Sequence, residues 1–443
     1  MKKITSLILA ALMLAAMLTV FSVPASAVTK YGSLILHNGS GTAEDPYVIT
    51  AEYQMKNLAE ETNKGTSDFE GVYFALGCSI NLAAFTPIGT KDHPFKGNFD
   101  GRGNMIQLSI NKETTDYVGL FGFAKGAQIK NVVLQQLTRD CVIKGHDHVG
   151  SICGYLDKGS IINCTNAIDV SGNSTVGGIC GVVSDGTINS CRNFGTIRGD
   201  NYAAGIVGGF EEGTLINCSN EGFIELATIY NGGLCGYASG FNMINCINSG
   251  TIRVASKHNE AESGGLIAVV EAMSDPIRNC VSAGEYLGDT KLCGSIINFI
   301  HDFMGTHNSW CENVFYDNSI LDCPVYHRPE DFSRNGIKSR TTEQMKSDEM
   351  LATLNQYVSD HPELGLLSWK KNEATGYPCL DYSAANTDAQ QDLFSAEGSA
   401  ISDGSLTVIV GIAAAVVFGL GGFILGTKKK KKPALAGAAE SDE

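Results

Sequence analysis

Two histidines around an aspartate are the first residues of this chain whose types and spacing suggest chemistry. His146 and His148 flank Asp147 in the stretch GHDHVG, and an i, i+2 pair on a β-strand points both side chains to one face. Imidazoles are common metal ligands, but a zinc site needs three or four ligands. The pair alone predicts no metal site, and a solvated loop before a strand is the simpler interpretation.

The motifs of hydrolytic chemistry are absent from the sequence or better explained as turns. A zinc peptidase motif, HExxH, needs two histidines one helical turn apart around a glutamate, whereas His258 begins the stretch HNEAE. Asp185 and Glu212 are carboxylates at the same position of a repeat, yet each directly precedes a glycine, as is typical of turns. We therefore expect no enzyme activity, no catalytic residue, no metal and no cofactor.

A repeat of 21 residues without internal gaps occupies the middle of the chain. Its four copies begin at Gly150, Gly177, Ala204 and Gly232, which lie 27 or 28 residues apart. Three positions hold the same residue in all four copies, and a fourth holds only isoleucine or leucine; they are Gly154, Gly181, Gly208 and Gly236; Cys164, Cys191, Cys218 and Cys246; Asn166, Asn193, Asn220 and Asn248; and Ile152, Ile179, Ile206 and Leu234. Apolar residues alternate with a period of two around these positions, which predicts short strands, and the repeat length predicts a solenoid.

The repeat predicts an all-β parallel β-helix. Each copy offers about three strands and cannot bury its apolar side alone, but coils stacked about 4.8 Å apart pair every strand with the coils above and below. Stacking places like residues on like. We therefore expect interior ladders of isoleucine or leucine and of cysteine, a ladder of asparagine side chains bonded from coil to coil, and glycines at bends that leave no space for a Cβ.

Cysteine usage fits the same ladders. All 14 cysteines lie in the part of the chain that we expect to be exported, where disulfides are common. Most of them recur at the repeat period, and parallel side chains in register rarely reach the torsion angle of a disulfide. We expect free, buried thiols that pack as small apolar side chains.

Composition and charge exclude two classes of protein. The chain has 43% hydrophobic residues, 51 glycines and only 10 prolines, which does not fit a disordered chain. Its formal net charge of −15 repels nucleic acid. We therefore expect no nucleic-acid partner.

Several stretches resemble a family of bacterial surface proteins. They are GTAEDPYVIT before a predicted helix, TPIG at 86–89, FKGNFDGRGN from Phe95, and Gly-Leu-apolar-Gly tetrads at 119–122 and 233–236. These motifs are similar to those of proteins with GLUG repeats, which also occur in the non-catalytic part of Gram-positive IgA-cleaving metallopeptidases. The resemblance covers residues 39–382 and implies a surface-displayed, right-handed β-helix. Without HExxH it does not carry proteolysis over.

Both ends of the chain indicate export and anchoring. Residues 1–27 combine two lysines, an apolar run and an AxA-like end, as in a secretory signal peptide. Residues 383–404 read as a linker, and 405–427 as an uncharged transmembrane helix of sufficient length to cross a bilayer. Five lysines begin the tail at 428–443 and keep it in the cytoplasm. We expect a single-pass protein of a Gram-positive-like cell membrane, with the repeats extracellular.

Capping helices are expected at both ends of the solenoid. Thr50 is the predicted N-cap of a helix that covers the first coil with Met55 and Leu58. A second helix over 341–358, with Thr341 as the N-cap, is expected to close the lower end. The resulting divisions are 28–117 for the N-terminal cap and first coils, 118–313 for the repeats, and 314–382 for the C-terminal cap.

Loops of variable length are the predicted recognition site. The run from Ile252 to Gly265 is the longest connection between repeats, and an insertion at 295–312 is rich in aromatic residues. Insertions in solenoid loops often form the binding face, although the insertion also suits a lid over the last coils. The candidate ligand-binding residues, expected on the same edge as His146 and His148, are Lys257, His258, Asn259, Glu260, Phe303, His307 and Trp310.

The sequence leaves three functions open. The leading hypothesis is a non-catalytic surface protein for adhesion or ligand binding, with a host glycan, a matrix protein or a cell-wall polymer as the unknown extracellular ligand. The alternatives are a carbohydrate-active β-helix enzyme, either a polysaccharide lyase or a hydrolase, and a passive stalk or accessory of a surface machine.

The topology leads to a first prediction. Protease added to intact cells should remove the repeat domain and spare the tail after Lys432, because the apolar span separates them. Immunoblotting with antibodies against each end measures the result. Survival of the whole chain on intact cells would contradict the surface assignment.

Overall fold

The computed structural model describes residues 29–36, 38–136, 141–226, 230–254, 262–273, 276–301, 311–327 and 335–383. All of them belong to the first of two units, Met1–Ser399, and the second unit, Ala400–Glu443, lies outside the described residues. The predicted signal peptide at 1–27 and the predicted span at 405–427 also lie outside them. Within the described ranges, no helix is long and apolar enough to cross a membrane.

The described chain winds into a parallel β-solenoid of about nine turns, which confirms the predicted all-β class. Each regular coil adds strands to four sheets, named sheets I to IV in the order in which the chain visits them. The coil that begins at Cys153 shows this order: Cys153–Ile162 lies in sheet I, Thr165–Ala167 in sheet II, Asp169–Ser171 in sheet III and Ser174–Gly177 in sheet IV. The sequence reasoning expected about three strands per copy; it divided the long strand Cys180–Asn189 in two and did not include the sheet IV strand Asn201–Ala204.

The two larger sheets run along most of the described solenoid. The strands of sheet I are Tyr47–Ile49, Tyr73–Leu76, Asn98–Asp100, Phe121–Lys125, Gln128–Lys130, Cys153–Ile162, Cys180–Asn189, Val207–Phe210, Gly213–Ile216, Cys235–Ile244, Ile267–Met273, Ile277–Arg278, Ile297–Ile300, Cys311–Glu312 and Val325–His327. The strands of sheet II are Ile80–Leu82, Met105–Leu108, Val133–Gln135, Thr165–Ala167, Arg192–Asn193, Ser219–Asn220, Ile247–Asn248, Val281–Ser282, Val314–Asp317 and Ile337–Arg340.

The other strands form two shorter sheets and two hairpins. The strands of sheet III are Ile110–Asn111, Val142–Lys144, Asp169–Ser171, Ile197–Gly199, Ile224–Leu226, Ile252–Arg253 and Tyr286–Leu287. The strands of sheet IV are Asp147–Gly150, Ser174–Gly177, Asn201–Ala204, Tyr230–Gly232, Glu262–Gly264 and Cys293–Gly294. The antiparallel hairpins pair Thr29–Tyr31 with Leu34–Leu36 and Trp369–Lys371 with Pro378–Leu380.

The apolar ladders predicted from the repeats form the core. The side chains of Ile152, Ile179, Ile206 and Leu234 are fully buried. All 14 cysteines are free thiols, as expected, and those of the repeats are buried. Burial raises the pKa of thiols such as Cys164 and Cys246 well above its usual range, which keeps them unreactive. At the predicted glycine bends there is no space for a side chain, because a Cβ on Gly181 would lie 2.4 Å from the Gly154 carbonyl oxygen.

The predicted asparagine ladder is also confirmed. Asn166 donates from Nδ2 to Oδ1 of Asn193 over 2.8 Å, Asn193 does the same to Asn220 over 2.8 Å, and Asn220 to Asn248 over 2.9 Å. These side chains are fully buried. A buried amide without partners costs about 1–3 kcal/mol. The ladder gives Asn166, Asn193 and Asn220 a partner in the next coil, whereas Nδ2 of Asn248, at the end of the row, has no hydrogen-bond partner among the described residues.

The insertion starts later than the sequence indicated. Gly294 pairs with Gly264 and not with Ala268, so the glycine position of the repeats continues through Ala268 to Asn298. From sequence, Gly294 aligns with the repeat glycine, because Asn298, the residue that occupies the glycine position in this coil, is not a glycine. The extra residues therefore follow the strand Ile297–Ile300, and 302–310 lie outside the described part.

The N-terminal helix spans Glu52–Asn63 and covers the first coil as expected. Met55 and Leu58 are fully buried in the interior cluster. The predicted N-cap is wrong by one residue, because Ala51 occupies that position and has no side chain that could cap the helix. Instead, Gln54 Oε1 accepts the backbone N–H of Thr50 at 2.9 Å.

The C-terminal helical region forms two α-helices, Thr342–Met345 and Asp348–Asp360, followed by the 3₁₀ turn Pro362–Leu364. Thr341 caps the first helix and forms the predicted capping box with Gln344. The single predicted helix is interrupted because Ser347 begins a second one, where its side chain accepts the N–H of Met350.

This region packs against the outer face of sheet II and not across the lower end of the solenoid, so the predicted position is wrong. Met345 and Leu354 share an apolar cluster with Ile247, whose chain neighbour Cys246 points into the core. Trp369 Nε1 donates to Asn245 Oδ1 over 2.6 Å. The apolar side of the helices is therefore buried on the flank of the coils.

Two substitutions test the stacking register. Ile206→Asp should strongly lower the melting temperature, because Ile206 is fully buried and an unpaired buried charge costs several kcal/mol. Asp185→Asn is the matched control, because Asp185 is exposed at φ 53° and asparagine tolerates that conformation. Thermal unfolding of both variants checks this. Equal melting temperatures would contradict the register.

Candidate functional site

The seven ligand-binding residues predicted from sequence all lie outside the described residues; they are Lys257, His258, Asn259, Glu260, Phe303, His307 and Trp310. The strands on either side of the first loop are described. Ile252–Arg253 and Glu262–Gly264 occupy the same places in sheets III and IV as Val142–Lys144 and Asp147–Gly150, which flank His146. The flanks of this loop therefore lie at the same junction of sheets III and IV as His146, and the placement of the loop residues themselves stays a prediction.

An outward-facing row of aromatic rings follows the junction of sheets IV and I. Two positions of each coil supply it. We call it the aromatic stripe, and its residues are Tyr117, Phe123, His148, Tyr155, Tyr202, Tyr230 and Tyr237. Their neighbours Val149 and Leu156 are fully buried, so strand alternation directs the stripe residues outward.

The parallel register stacks these positions coil on coil. The first position, at the corner that leads into sheet IV, holds Tyr117, His148, Thr175, Tyr202, Tyr230 and Glu262. The second position, in sheet I, holds Phe123, Tyr155, Val182, Gly209, Tyr237, Val269 and Phe299.

The rings contact one another in two groups. In the upper group, Tyr117 stacks on His148 with centroids 5.0 Å apart, and Phe123 stacks on Tyr155 at 4.8 Å. The lower group consists of Tyr202, Tyr230 and Tyr237, and Tyr202 lies 5.4 Å from the Tyr230 ring and 5.6 Å from the Tyr237 ring. Such pairs add about 0.5–1.5 kcal/mol each, so the rings are held in fixed positions while one side of the row faces solvent.

The backbone at the first position is strained. Tyr117, His148, Thr175 and Tyr202 have φ of 60°, 56°, 50° and 48°. A left-handed conformation costs a bulky or β-branched residue about 1–3 kcal/mol, and another left-handed corner of the same coils uses asparagine, as at Asn217 with φ 56°. Glycine or asparagine would adopt this conformation at lower cost. The presence of rings at this corner therefore indicates a role in contacts.

Carboxylates border both groups of rings. The Tyr155 hydroxyl donates to Glu211 Oε2 over 2.9 Å, and the Tyr237 hydroxyl donates to Glu271 Oε2. Partial burial, and then the hydrogen bond to the carboxylate, raises the pKa of Tyr155 and of Tyr237 to about 12. Both hydroxyls therefore stay protonated at neutral pH, and the exposed carboxylates keep further acceptor capacity.

His146 and His148 have different surroundings, contrary to the expectation for an i, i+2 pair on a strand. The strand begins at Asp147, and His148 turns into the stripe, where its Nδ1 lies 2.7 Å from Thr175 Oγ1. The Nδ1 of His146 lies 2.8 Å from Asp116 Oδ1. The hydrogen bond to Asp116 raises the pKa of His146, whereas burial lowers the pKa of His148.

A group of possible metal ligands lies beside the upper group of rings. Ligand atoms of Asp116, His146 and Asp147 all lie within 4.8 Å of one another. Carboxylate and imidazole ligands suit several divalent cations. However, Asp116 and His146 are exposed and paired with each other, and Asn173 Nδ2 donates to Asp147 over 3.0 Å. These contacts satisfy the group as a hydrogen-bonded cluster.

The suggested carboxylate pair lies along sheet I, where Asp185 is inside the strand Cys180–Asn189 at a left-handed backbone position and Glu212 directly precedes the strand Gly213–Ile216. Asp185, with φ of 53°, stands in one column of the stacked coils between Lys158, with φ of 54°, in the coil before and Glu212 in the coil after. Asp185 also lies 3.9 Å from the Lys158 amine, an exposed ion pair that contributes little to stability.

The sequence reasoning missed the aromatic stripe because its positions do not keep one residue type. The sixth residue of each copy is Tyr155, Val182, Gly209 or Tyr237, and the residue two before each copy is His148, Thr175, Tyr202 or Tyr230. At each of these two positions, at least two of the four copies carry an aromatic residue, and this is the signal that could have revealed the stripe.

Comparisons with known proteins find short similarities. No family model matches the chain. A stretch of 117 residues is 29% identical to a "Putative Gly-rich membrane protein" of Evansella cellulosilytica and covers 24% of this chain and 13% of that protein. A stretch of 141 residues is 30% identical to "Halomucin" of Haloquadratum walsbyi and covers 29% of this chain and 2% of that protein. The similarity thus spans a small part of the length of both relatives.

Among solved structures, the chain is similar to one described as the "Crystal structure of a putative immunoglobulin A1 protease from Bacteroides ovatus". The two are 21% identical with a TM-score of 0.46, and the match covers 78% of this chain and 95% of the other.

The two histidines provide a prediction. In an NMR titration, His146 should titrate above the usual pKa of 6.5, because Asp116 stabilises its charged form, and His148 should titrate below it, because burial penalises the charged form. Asp116→Asn should return the pKa of His146 towards 6.5. The assignment would be wrong if His148 titrated at or above the pKa of His146.

Proposed function

We propose that this protein is a non-catalytic surface protein that binds an extracellular ligand through the aromatic stripe. The observation that carries this proposal is the row of solvent-facing rings at strained corners, since three of the four left-handed first-position residues are aromatic: Tyr117, His148 and Tyr202. Aromatic side chains supply large, rigid contact area at binding surfaces. A passive stalk would need no such rings.

The proposed location is the outer surface of the cell membrane. The signal peptide at 1–27, the linker at 383–404, the span at 405–427 and the lysines that follow support it. One relative is itself named a membrane protein. In this proposal the right-handed β-helix stands outside a Gram-positive-like cell and meets a host glycan, a matrix protein or a cell-wall polymer.

The loops predicted from sequence leave the solenoid at the stripe. Glu262, which directly follows the loop with Lys257 and His258, occupies the first stripe position. Phe299, shortly before the insertion with Phe303 and Trp310, occupies the second. The described residues next to both loops therefore continue the two columns of the stripe, so the proposal extends the loop hypothesis.

A glycan-cleaving enzyme is the second candidate, because Asp116 and Asp147 lie together beside the stripe. Glycoside hydrolysis by two carboxyl groups needs one acid whose pKa is raised. Burial raises the pKa of Asp116, but the hydrogen bonds from His146 and from the Asp147 N–H outweigh it and leave the pKa lowered. This favours binding without cleavage.

A ligand screen tests the proposal. The full-length chain is applied to arrays of glycans and matrix proteins, and each ligand found is tested with the double variant Tyr202→Ala/Tyr237→Ala. Binding should weaken at least about tenfold, which corresponds to about 1.4 kcal/mol, because the contact area of both rings is lost. Circular dichroism checks the fold.

Three variants give the comparison. Tyr53→Ala removes an exposed tyrosine from the N-terminal helix and should bind as the parent does. Two further variants measure how much the loops contribute to binding. They are the replacement of residues 255–262 by a Gly/Ser turn, and Trp310→Ala. The stripe proposal would be wrong if the double tyrosine variant bound every ligand as tightly as Tyr53→Ala.

A further inference from the structure

We infer that the lower group of the aromatic stripe, together with Gly209 and Glu211, is a binding site for an uncharged glycan chain. The inference rests on the proposed function and deepens it, because it names the ligand class and the position on the stripe.

The ring geometry favours a sugar over an organic cation. An aromatic cage for a quaternary ammonium group holds the cation between separated rings. The rings of Tyr202, Tyr230 and Tyr237 contact each other at 5.4 and 5.6 Å and leave no such gap. Tyr202 and Tyr230 stack on each other within 14° of parallel, whereas Tyr237 is tilted by 65° to Tyr202 and can present a ring face to a ligand. The negative face of a phenol ring attracts the polarised C–H groups on the apolar face of a pyranose.

Gly209, whose backbone is buried, leaves a small recess beside these rings because it lacks the side chain that the neighbouring coils carry at this position. It lies in register between Val182 and Tyr237, and its coil also carries Tyr202. A Cβ at Gly209 would meet only Thr175 at 3.4 Å and Val182 at 3.6 Å, and its φ is not in the left-handed region. The backbone therefore does not require glycine here. By omitting a side chain, this position leaves space next to the rings.

Glu211 borders the same recess. It accepts the hydroxyl of Tyr155, which lies 56 residues earlier in the chain, so the Tyr155 side chain extends along the solenoid axis past the coil of Val182. Val182, which the Tyr155 side chain passes, faces outward but is only 3% exposed. An ionised carboxylate has about four acceptor sites and the tyrosine hydroxyl uses one. The others can accept sugar hydroxyls.

The charges around the lower group disfavour an anionic ligand. Glu211 and Glu271 each accept a tyrosine hydroxyl, and Glu262 occupies the next coil of the first position. These carboxylates repel uronates, sulfates and phosphates. Basic side chains lie towards the upper group, where Lys125 is paired with Asp157 at 2.7 Å. A neutral glycan meets acceptors without this repulsion.

The direction of the stripe sets the direction of the ligand. Tyr155 and Tyr237 lie three coils apart in the same column, which corresponds to about 14 Å at about 4.8 Å per coil. A glycan along the solenoid axis can therefore contact the upper and lower groups at once. Once the glycan is bound to one group of rings, its contact with the other group is intramolecular. The affinity should therefore increase with the length of the glycan until it covers both groups.

The test uses the full-length chain in detergent with neutral polysaccharides, with acidic polysaccharides that carry uronate or sulfate, and with a length series of one neutral oligosaccharide. Gly209→Val fills the recess with the residue that occupies the same column at Val182 and Val269. Neutral glycans should bind in preference to acidic ones. Gly209→Val and Tyr237→Ala should each weaken this binding at least about tenfold, whereas Tyr53→Ala should not change it. Melting temperatures of all variants, with Gly209→Ala as the smaller substitution, separate lost binding from lost folding.

The outcomes separate the inference from the proposed function. Stripe-dependent binding of a protein or of acidic glycans would overturn the inference and leave the proposed function standing. Neutral glycan binding that Gly209→Val and Gly209→Ala both leave unchanged would overturn the assignment of the site. Binding that no stripe variant weakens would overturn both proposals.

Discussion

The parallel hydrogen-bonded register between successive coils is the constraint on which the rest of this structure depends. Once Cys153 lies opposite Cys180 and Ile161 opposite Ile188, every residue of one coil stands over its equivalent in the next. An interior residue type then has to tolerate contact with itself. Isoleucine and cysteine do so by apolar packing, and asparagine does so because its amide is both donor and acceptor, as in the contact of Asn193 with Asn220 at 2.8 Å.

This constraint explains how much of the fold could be predicted from the sequence. Interior positions such as Ile206 and Asn220 keep their residue type, so the repeats indicated both the solenoid and its ladders. The number of sheets was less accessible, because sheet IV strands such as Asn201–Ala204 lie largely before the 21-residue copies, and because the long strand Cys180–Asn189 has the alternation of two short ones. The register was lost at Gly294 for a related reason, since Asn298 holds the glycine position there. The C-terminal helices were recognised by their capping residues, but caps specify where a helix begins and not the surface that it covers.

The candidate site could not be predicted to the same extent because outward positions are free of this constraint. Tyr155, Val182 and Gly209 stand in one column, and no core packing forces them to be alike. The sequence placed recognition on loops, since length variation is visible without a structure. Only the register shows that Glu262 and Phe299, next to two of those loops, continue the columns of the stripe. The edge was therefore predictable, and the rings along it were not.

The remaining faces of the solenoid explain why the stripe is the face left for a ligand. In the described residues, the outer side of sheet II around Ile247, Val281 and Phe315 is covered by the C-terminal helices and hairpin, and Trp369 joins the hairpin to Asn245. Sheet III carries exposed ion pairs, with Arg198 bonded to Glu225 at 2.7 Å. Such pairs are well solvated and offer little apolar area. The corner between sheets IV and I differs from both, because its aromatic rings contact each other and keep a solvent-facing side. Desolvating those rings against a ligand costs less than desolvating charges, so physical chemistry favours binding at the same corner where the backbone tolerates strain.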